Sequence, residues 1–240
     1  MLKKKLMAGF IAVAAFVTVV GTNVHSISAQ KKTATFKVRI ENISSSDGIV
    51  AQDGSKYPFA LSPGLYTVAK EKVELFEVGK AASKGIEAQA EDGNPMVLSA
   101  DVLAMPKAGS YGIFDTPIGG DKPSPIFPGG AFEFTFMATK GMKLNLTMMY
   151  GQSNDLFYAP DASIDLFANG KALSGDITDK FLLWDAGTEV NQAPGLGGDQ
   201  GPRQKGPNTG ADENGVVRLV KDGFAYPETQ NVLRITITAN

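Results

Sequence analysis

The sequence has no cysteine and a single histidine, His25. His25 falls in a stretch that reads as a removable leader, so the mature chain is expected to hold neither thiol nor imidazole. That excludes a Cys/His zinc site. It also excludes a Cys-His pair, a Ser-His-Asp triad and any histidine base. Disulfides are impossible, so stability must come from packing or from a bound ion. A basic excess is missing as well: 23 Lys and Arg stand against 25 Asp and Glu. Electrostatic binding of nucleic acid needs a basic face and is not expected. What remains for chemistry is carboxylate, amine, hydroxyl and phenol.

Long apolar runs are also scarce, and the one near the start is short. Residues 1–29 read as a secretory signal peptide: Lys3-Lys4-Lys5, an apolar stretch from Met7 to Val20, then Ser26-Ile27-Ser28-Ala29 with small residues for cleavage. The apolar stretch falls short of the roughly 20 residues that span a bilayer, which disfavours a retained anchor. Export to the periplasm or outside the cell is expected, with no membrane span after cleavage. The leader holds three lysines and no acid, so its removal takes the formal net charge from −2 to −5.

Residues 30–240 then read as one all-β domain. Thr33 to Glu41 alternates, with Ala34, Phe36, Val38 and Ile40 on one face, as a half-buried strand does. Ala131 to Ala138 carries Phe132, Phe134 and Phe136 on one face, and Met142 to Tyr150 carries Leu144, Leu146 and Met148. With Thr139-Lys140-Gly141 between them, these two segments predict a hairpin. The middle of the chain breaks the pattern. Val78 to Ala90 predicts a short helix stopped at Asp92-Gly93, and Asn94-Pro95 predicts the cap and first position of a second, over Met96–Leu103. Asn169-Gly170 marks a tight turn between short strands, and Val216–Val220 and Val232–Thr238 predict the closing strands. Long Gly/Pro-rich loops fill 115–130 and 190–215, and the second is long enough to bind a partner or wrap the domain. Short strands with turn signals imply an antiparallel β-sandwich with one or two short helices.

The most informative stretch is Trp184-Asp185-Ala186-Gly187-Thr188-Glu189. It places two carboxylates around a glycine at the end of the apolar run Phe181-Leu182-Leu183. A turn lined with oxygens suits a hard cation, and Ca²⁺ takes carboxylate and carbonyl oxygens in flexible geometry. A solvated turn is the competing reading. Trp184 is expected as a core anchor beside the turn. Asp161, Asp165, Asp176 and Asp179 are expected to cap turns or face water.

At Gln152-Ser153-Asn154-Asp155-Leu156-Phe157, and again at Leu183-Trp184-Asp185-Ala186-Gly187-Thr188-Glu189, the sequence resembles the spondin N-terminal domain family in a bacterial single-domain form. Leu61-Ser62-Pro63-Gly64, Phe76 to Ala82 and the run Pro202 to Gly210 fit as well. The resemblance covers roughly Thr35 to Ile237. It implies a C2-like β-sandwich with one calcium ion at one end, held by Asp155, Asp185 and Glu189. Two departures stand out: Gln152-Ser153-Asn154 replaces a Pro-Ser-Pro lead-in, and Glu189 replaces an aspartate. The thrombospondin-type repeats of animal members are absent, so their partners do not carry over. The residues agree on one condition. If the strands before Asp155 and before Asp185 end at the same edge, the carboxylates converge. Two of them about 4 Å apart repel by roughly 4 kcal/mol at an effective dielectric of 20, and a divalent ion reverses the sign.

The expected function is an exported calcium-binding module, not an enzyme, meeting an unknown protein or glycan at the cell surface in an adhesion or envelope-associated role. A calcium-stabilised carbohydrate-binding module is the alternative. A glycoside hydrolase working with two carboxylates is less favoured, because the candidate acids crowd into one turn region without an aromatic cleft around them.

Overall fold

Alternation in the first strand sets the architecture. A computed structural model of the chain describes residues 33–46, 48–106 and 109–240. The leader lies outside the described residues. In chain order the elements begin with β1 (Thr33–Asn42), β2 (Ile49–Val50), β3 (Lys56–Tyr57), β4 (Leu61–Ala69), α1 (Lys84–Asp92) and α2 (Pro95–Ala104). They continue with β5 (Ser110–Phe114), β6 (Ala131–Thr139), β7 (Lys143–Tyr150), β8 (Leu156–Pro160), β9 (Ile164–Asp165), β10 (Phe167–Ala168), β11 (Lys171–Ala172) and β12 (Gly175–Asp176). After a 3-10 turn at Thr178–Lys180 come β13 (Phe181–Asp185), β14 (Arg218–Leu219), α3 (Thr229–Val232) and β15 (Leu233–Ala239).

Two antiparallel sheets face each other. One has the order β12-β15-β1-β6, the other β14-β13-β8-β7-β4-β5 with β9 also against β7. Phe36, Val38 and Ile40 of β1, Phe132 of β6 and Ile235 and Ile237 of β15 meet Leu144, Leu146, Met148, Leu156 and Tyr158 from the opposite sheet. This is the layer a sandwich buries. A second layer lies on the outer face of the larger sheet, where Ile86, Ala90, Leu98 and Val102 of the helices cover Leu65, Phe157 and Trp184. Both faces of β7 and β8 are therefore covered, and nearly every residue in them is buried.

The expected helices form with their caps. Ser83 Oγ accepts from the Ile86 amide at 3.2 Å, and Gly93 closes α1 in the left-handed region at φ 61°. The first helix starts later than its composition predicts, because Gly79 turns the chain at φ 80° and donates to the Val217 carbonyl. Asn94 caps α2 by accepting from the Met96 amide at 3.0 Å, with Pro95 in its first turn. Asn169 and Gly170 (φ 49° and 76°) make the tight turn between β10 and β11.

The hairpin expected between residues 131–138 and 142–150 does not form. β6 pairs with β1 over nine residues, and β7 pairs with β4 and β8 in the other sheet. The turn at Gly141 (φ 89°) carries the chain from one sheet to the other. Both apolar faces still point into the same core, one from each side. The alternation fixed burial but not the hydrogen-bonded partner.

Candidate metal centre

β8 and β13 run antiparallel, with Asp185 directly opposite Leu156. Asp155, which precedes Leu156, and Asp185, which ends β13, therefore sit at the same edge. The condition set by the sequence is met. Asp161 and Asp179 lie at the other end of these two strands, Asp165 pairs with Lys143 at 2.6 Å, and Asp176 caps Thr178.

The turn that follows β13 is locally dictated. Gly187 has φ 70°, and a Cβ there would lie 2.6 Å from the Val216 amide nitrogen and 2.7 Å from its carbonyl oxygen. Only glycine fits this approach. The Gly187 amide donates to Asp185 Oδ1 at 2.7 Å, and its carbonyl accepts from the Gly215 amide at 2.7 Å. On the other side, Ser153 Oγ donates to the Tyr150 carbonyl at 2.6 Å and accepts from the Leu156 amide at 3.1 Å. This fixes the approach to Asp155.

Asp155 is fully buried. Its Oδ2 accepts from the Thr188 amide at 2.7 Å, the Glu189 amide at 3.1 Å and the Thr188 hydroxyl at 3.2 Å. Its Oδ1 is buried and has no hydrogen-bond partner. Burial, and then the neighbouring Asp185 charge, push its carboxyl up to about 7 against the pull of those amides. Asp185 is equally buried, and its Oδ2 accepts from Asn191 Nδ2 at 3.0 Å and Arg218 Nη2 at 2.8 Å. Burial raises its pKa, while the Gly187 amide and the Arg218 charge oppose the rise.

The third carboxylate is Glu213. One oxygen each from Asp155, Asp185 and Glu213 falls within 4.8 Å of the other two. Calcium sits about 2.4 Å from each ligand oxygen, so its ligands lie no more than about 5 Å apart, and this spacing fits. Arg218 Nη2 also donates to Glu213 Oε1 and Oε2 at 2.6 and 2.9 Å. With all three carboxyls ionised, the set and one guanidinium carry two negative charges, the amount a divalent ion would neutralise.

Glu189, the third ligand expected from the sequence, is on the same turn but points elsewhere. Its Oε1 accepts from the Gly210 amide at 2.9 Å and its Oε2 from Asn154 Nδ2 at 3.2 Å. Burial raises its pKa. Its backbone amide, not its carboxylate, touches Asp155. The carboxylate ties the 190–215 loop to the 152–154 turn, and that loop wraps the site. Gln200, fully buried, donates to the Gln192 and Ala193 carbonyls and accepts from the Gly195 amide.

Glu213, Arg218 and Asn191 were not singled out from the sequence. Glu213 does carry a local signal, since Asp212-Glu213-Asn214-Gly215 is a second acid-and-glycine turn. Trp184 is buried beside the site, where its indole donates to the Ala159 carbonyl at 3.1 Å.

The chain matches no protein-family model, and no curated protein matches it.

Proposed function

We propose that the chain is an exported calcium-binding β-sandwich module with an adhesion or envelope-associated role, in which the ion locks the loop-rich end of the sandwich. The observation that carries this reading is Asp155 Oδ1. It is a buried carboxylate oxygen without a hydrogen-bond donor, on a residue that brings one carboxylate oxygen within 4.8 Å of oxygens on Asp185 and Glu213. Burying such an oxygen unpaired costs stability, and a hard cation satisfies it. Asp155, Asp185 and Glu213 hold the ion in this reading. The motifs shared with spondin N-terminal domains support the same assignment at Asp155 and Asp185.

The ion's role is structural. It neutralises charges on three separate segments, the turn before β8, the end of β13 and the loop before β14, and so orders the turns that a surface partner would meet. A binding role is favoured over glycoside hydrolysis because Asp155 and Asp185 are both fully buried, beyond the reach of a sugar ring. Among the described residues no helix is long and apolar enough to cross a membrane. The leader pattern supports a secreted or periplasmic location.

The test is thermal unfolding with chelator and with Ca²⁺. An ion that binds only the folded state adds about 2.7 kcal/mol at a hundredfold excess over Kd. The melting temperature rises with Ca²⁺ and falls with chelator if the reading holds. An unchanged melting temperature contradicts it.

A further inference from the structure

A second acidic recess adjoins the carboxylate cluster, on the far side of Thr188. It has a volume of about 360 Å³ and lies between α1 and the turns at 187–188 and 208–215. Glu91 lines it from the last turn of α1, Glu87 one turn earlier, and Asp212 from the facing loop.

Glu91 is an unfavourable residue for stability alone. It is only 2% exposed, and its Oε2 has no hydrogen-bond partner. A buried acceptor without a donor destabilises the fold, more so when charged. Its place near the C-terminus of α1 adds the unfavourable end of the helix dipole. Burial, foremost, together with the charges of Glu189, Glu87 and Asp92 raises its pKa to about 7, with the Thr188 hydroxyl pulling the other way.

The geometry disfavours a second metal ion. Among the described residues, the acids whose oxygens gather within 4.8 Å are Asp155, Asp185 and Glu213, and none of them lines this recess. The recess is also much larger than an ion, and its walls are polar. An ammonium group on a carbon chain suits it better, with three donors that can reach separate acceptors. The protein already places one there: Lys84 Nζ, at the edge of the recess, donates to both oxygens of Glu87 at 2.7 and 2.8 Å. Glu91 feels the Lys84 charge, but its Oε2 is left without a donor.

We propose that this recess binds a primary alkylammonium group, with Glu91 as the buried anchor and Glu87 and Asp212 as the rim, presented either by a free diamine or by a lysine side chain. The site shares the Thr188 turn with the calcium centre but none of its three carboxylates.

The experiment is calorimetric titration of the folded chain with the diamine cadaverine and with Nα-acetyl-lysine amide, using its Nε-acetylated form as the uncharged control. Saturable binding of either amine, with none of the control, is expected. Binding of cadaverine alone assigns a free diamine; equal or tighter binding of the lysine derivative assigns a side chain. Loss of the charge-assisted contact in Glu91→Gln weakens binding by about tenfold or more. Asp212→Asn, at an exposed position, weakens it less and carries the test if Glu91→Gln does not fold. Lys84→Gln frees Glu87 and tightens binding. Amine binding persists in chelator, and Glu91→Gln keeps the calcium response, so failure of one site is distinguishable from failure of the other. No amine binding, or binding that neither Glu91→Gln nor Asp212→Asn weakens, overturns the proposal. So does Ca²⁺ binding that Glu91→Gln removes while the amines have no effect.

Discussion

The Arg218 guanidinium donates from Nη2 to Asp185 Oδ2 at 2.8 Å, and the two residues are direct cross-strand partners in the ladder between β13 and β14. The same nitrogen reaches both oxygens of Glu213. Arg218 is thus a resident cation at the site proposed for calcium, and the two compete for the same oxygens. Arg218→Met should lower ion-free stability by about 1–2 kcal/mol, because Asp185 is buried and loses its countercharge while the arginine itself is partly solvated. The same variant should bind Ca²⁺ about fivefold more tightly. Melting with chelator and calorimetric Ca²⁺ titration read the two effects separately. Weaker Ca²⁺ binding in the variant would show that Arg218 positions the carboxylates instead of competing for them.

The pH dependence of the ion-free protein follows from Asp155. Its carboxyl moves from the ordinary 3.8 up to about 7 on folding, and Glu91 moves from 4.5 to about 7. The folded state therefore holds these protons more tightly than the unfolded state. The stability they contribute is fully present below about pH 4 and is lost as pH rises toward and through 7, by on the order of a few kcal/mol. Calcium cancels the trend at Asp155, since binding requires the carboxylate and releases its proton. Melting curves between pH 5 and 8 should fall with pH in chelator and fall less steeply in Ca²⁺, so that the stabilisation by Ca²⁺ grows with pH. Parallel curves in the two conditions would argue that Asp155 is not a ligand.

Asp185→Asn should weaken Ca²⁺ binding far more than Glu189→Gln. Asp185 supplies an oxygen to the carboxylate cluster, whereas the Glu189 carboxylate is engaged by Gly210 and Asn154. Glu189→Gln places an amide against Asn154 and should cost about 1 kcal/mol of stability with little change in affinity. Calorimetric titration of both variants beside the unaltered chain decides the order. Equal losses would bring Glu189 back into the coordination sphere.

Gly187→Ala should damage fold and site together. Its positive φ and the 2.6 Å approach of the Val216 backbone leave no room for a methyl group. The cost is at least the roughly 1–2 kcal/mol of the left-handed conformation, and the backbone clash adds to it. A shift that displaces the Gly187 amide also removes a donor from Asp185. Lower stability with a weakened calcium response is the expected result, read by melting in chelator and in Ca²⁺.

Much of this was legible in the sequence because it rests on local rules. The buried faces of β1 and β6, the Ser83 and Asn94 caps and the Asn169-Gly170 turn are written in periodicity and in residues with special backbone or capping chemistry. Asp185 and Gly187 belong to the same class. The separation of β6 and β7 into different sheets was not legible, because both strands expose apolar faces to one core and the pattern does not say which backbone edge each one joins. Glu213 and Arg218 were missed for a related reason. They reach the site through a long loop without periodicity and a two-residue edge strand, so only the folded chain brings them to Asp185. The direction of the Glu189 carboxylate, toward Gly210 and Asn154, was not legible either, because spacing along a turn fixes the backbone and not a flexible side chain.

The most direct test is a calorimetric Ca²⁺ titration of the chelator-stripped chain and of Asp155→Asn, followed in parallel by fluorescence of the chain's only tryptophan, Trp184, which adjoins Asp185. The account predicts one saturable Ca²⁺ site per chain with a fluorescence change of the same midpoint, both absent in Asp155→Asn. Absence of binding in the unaltered chain, or equal binding in Asp155→Asn, would contradict it.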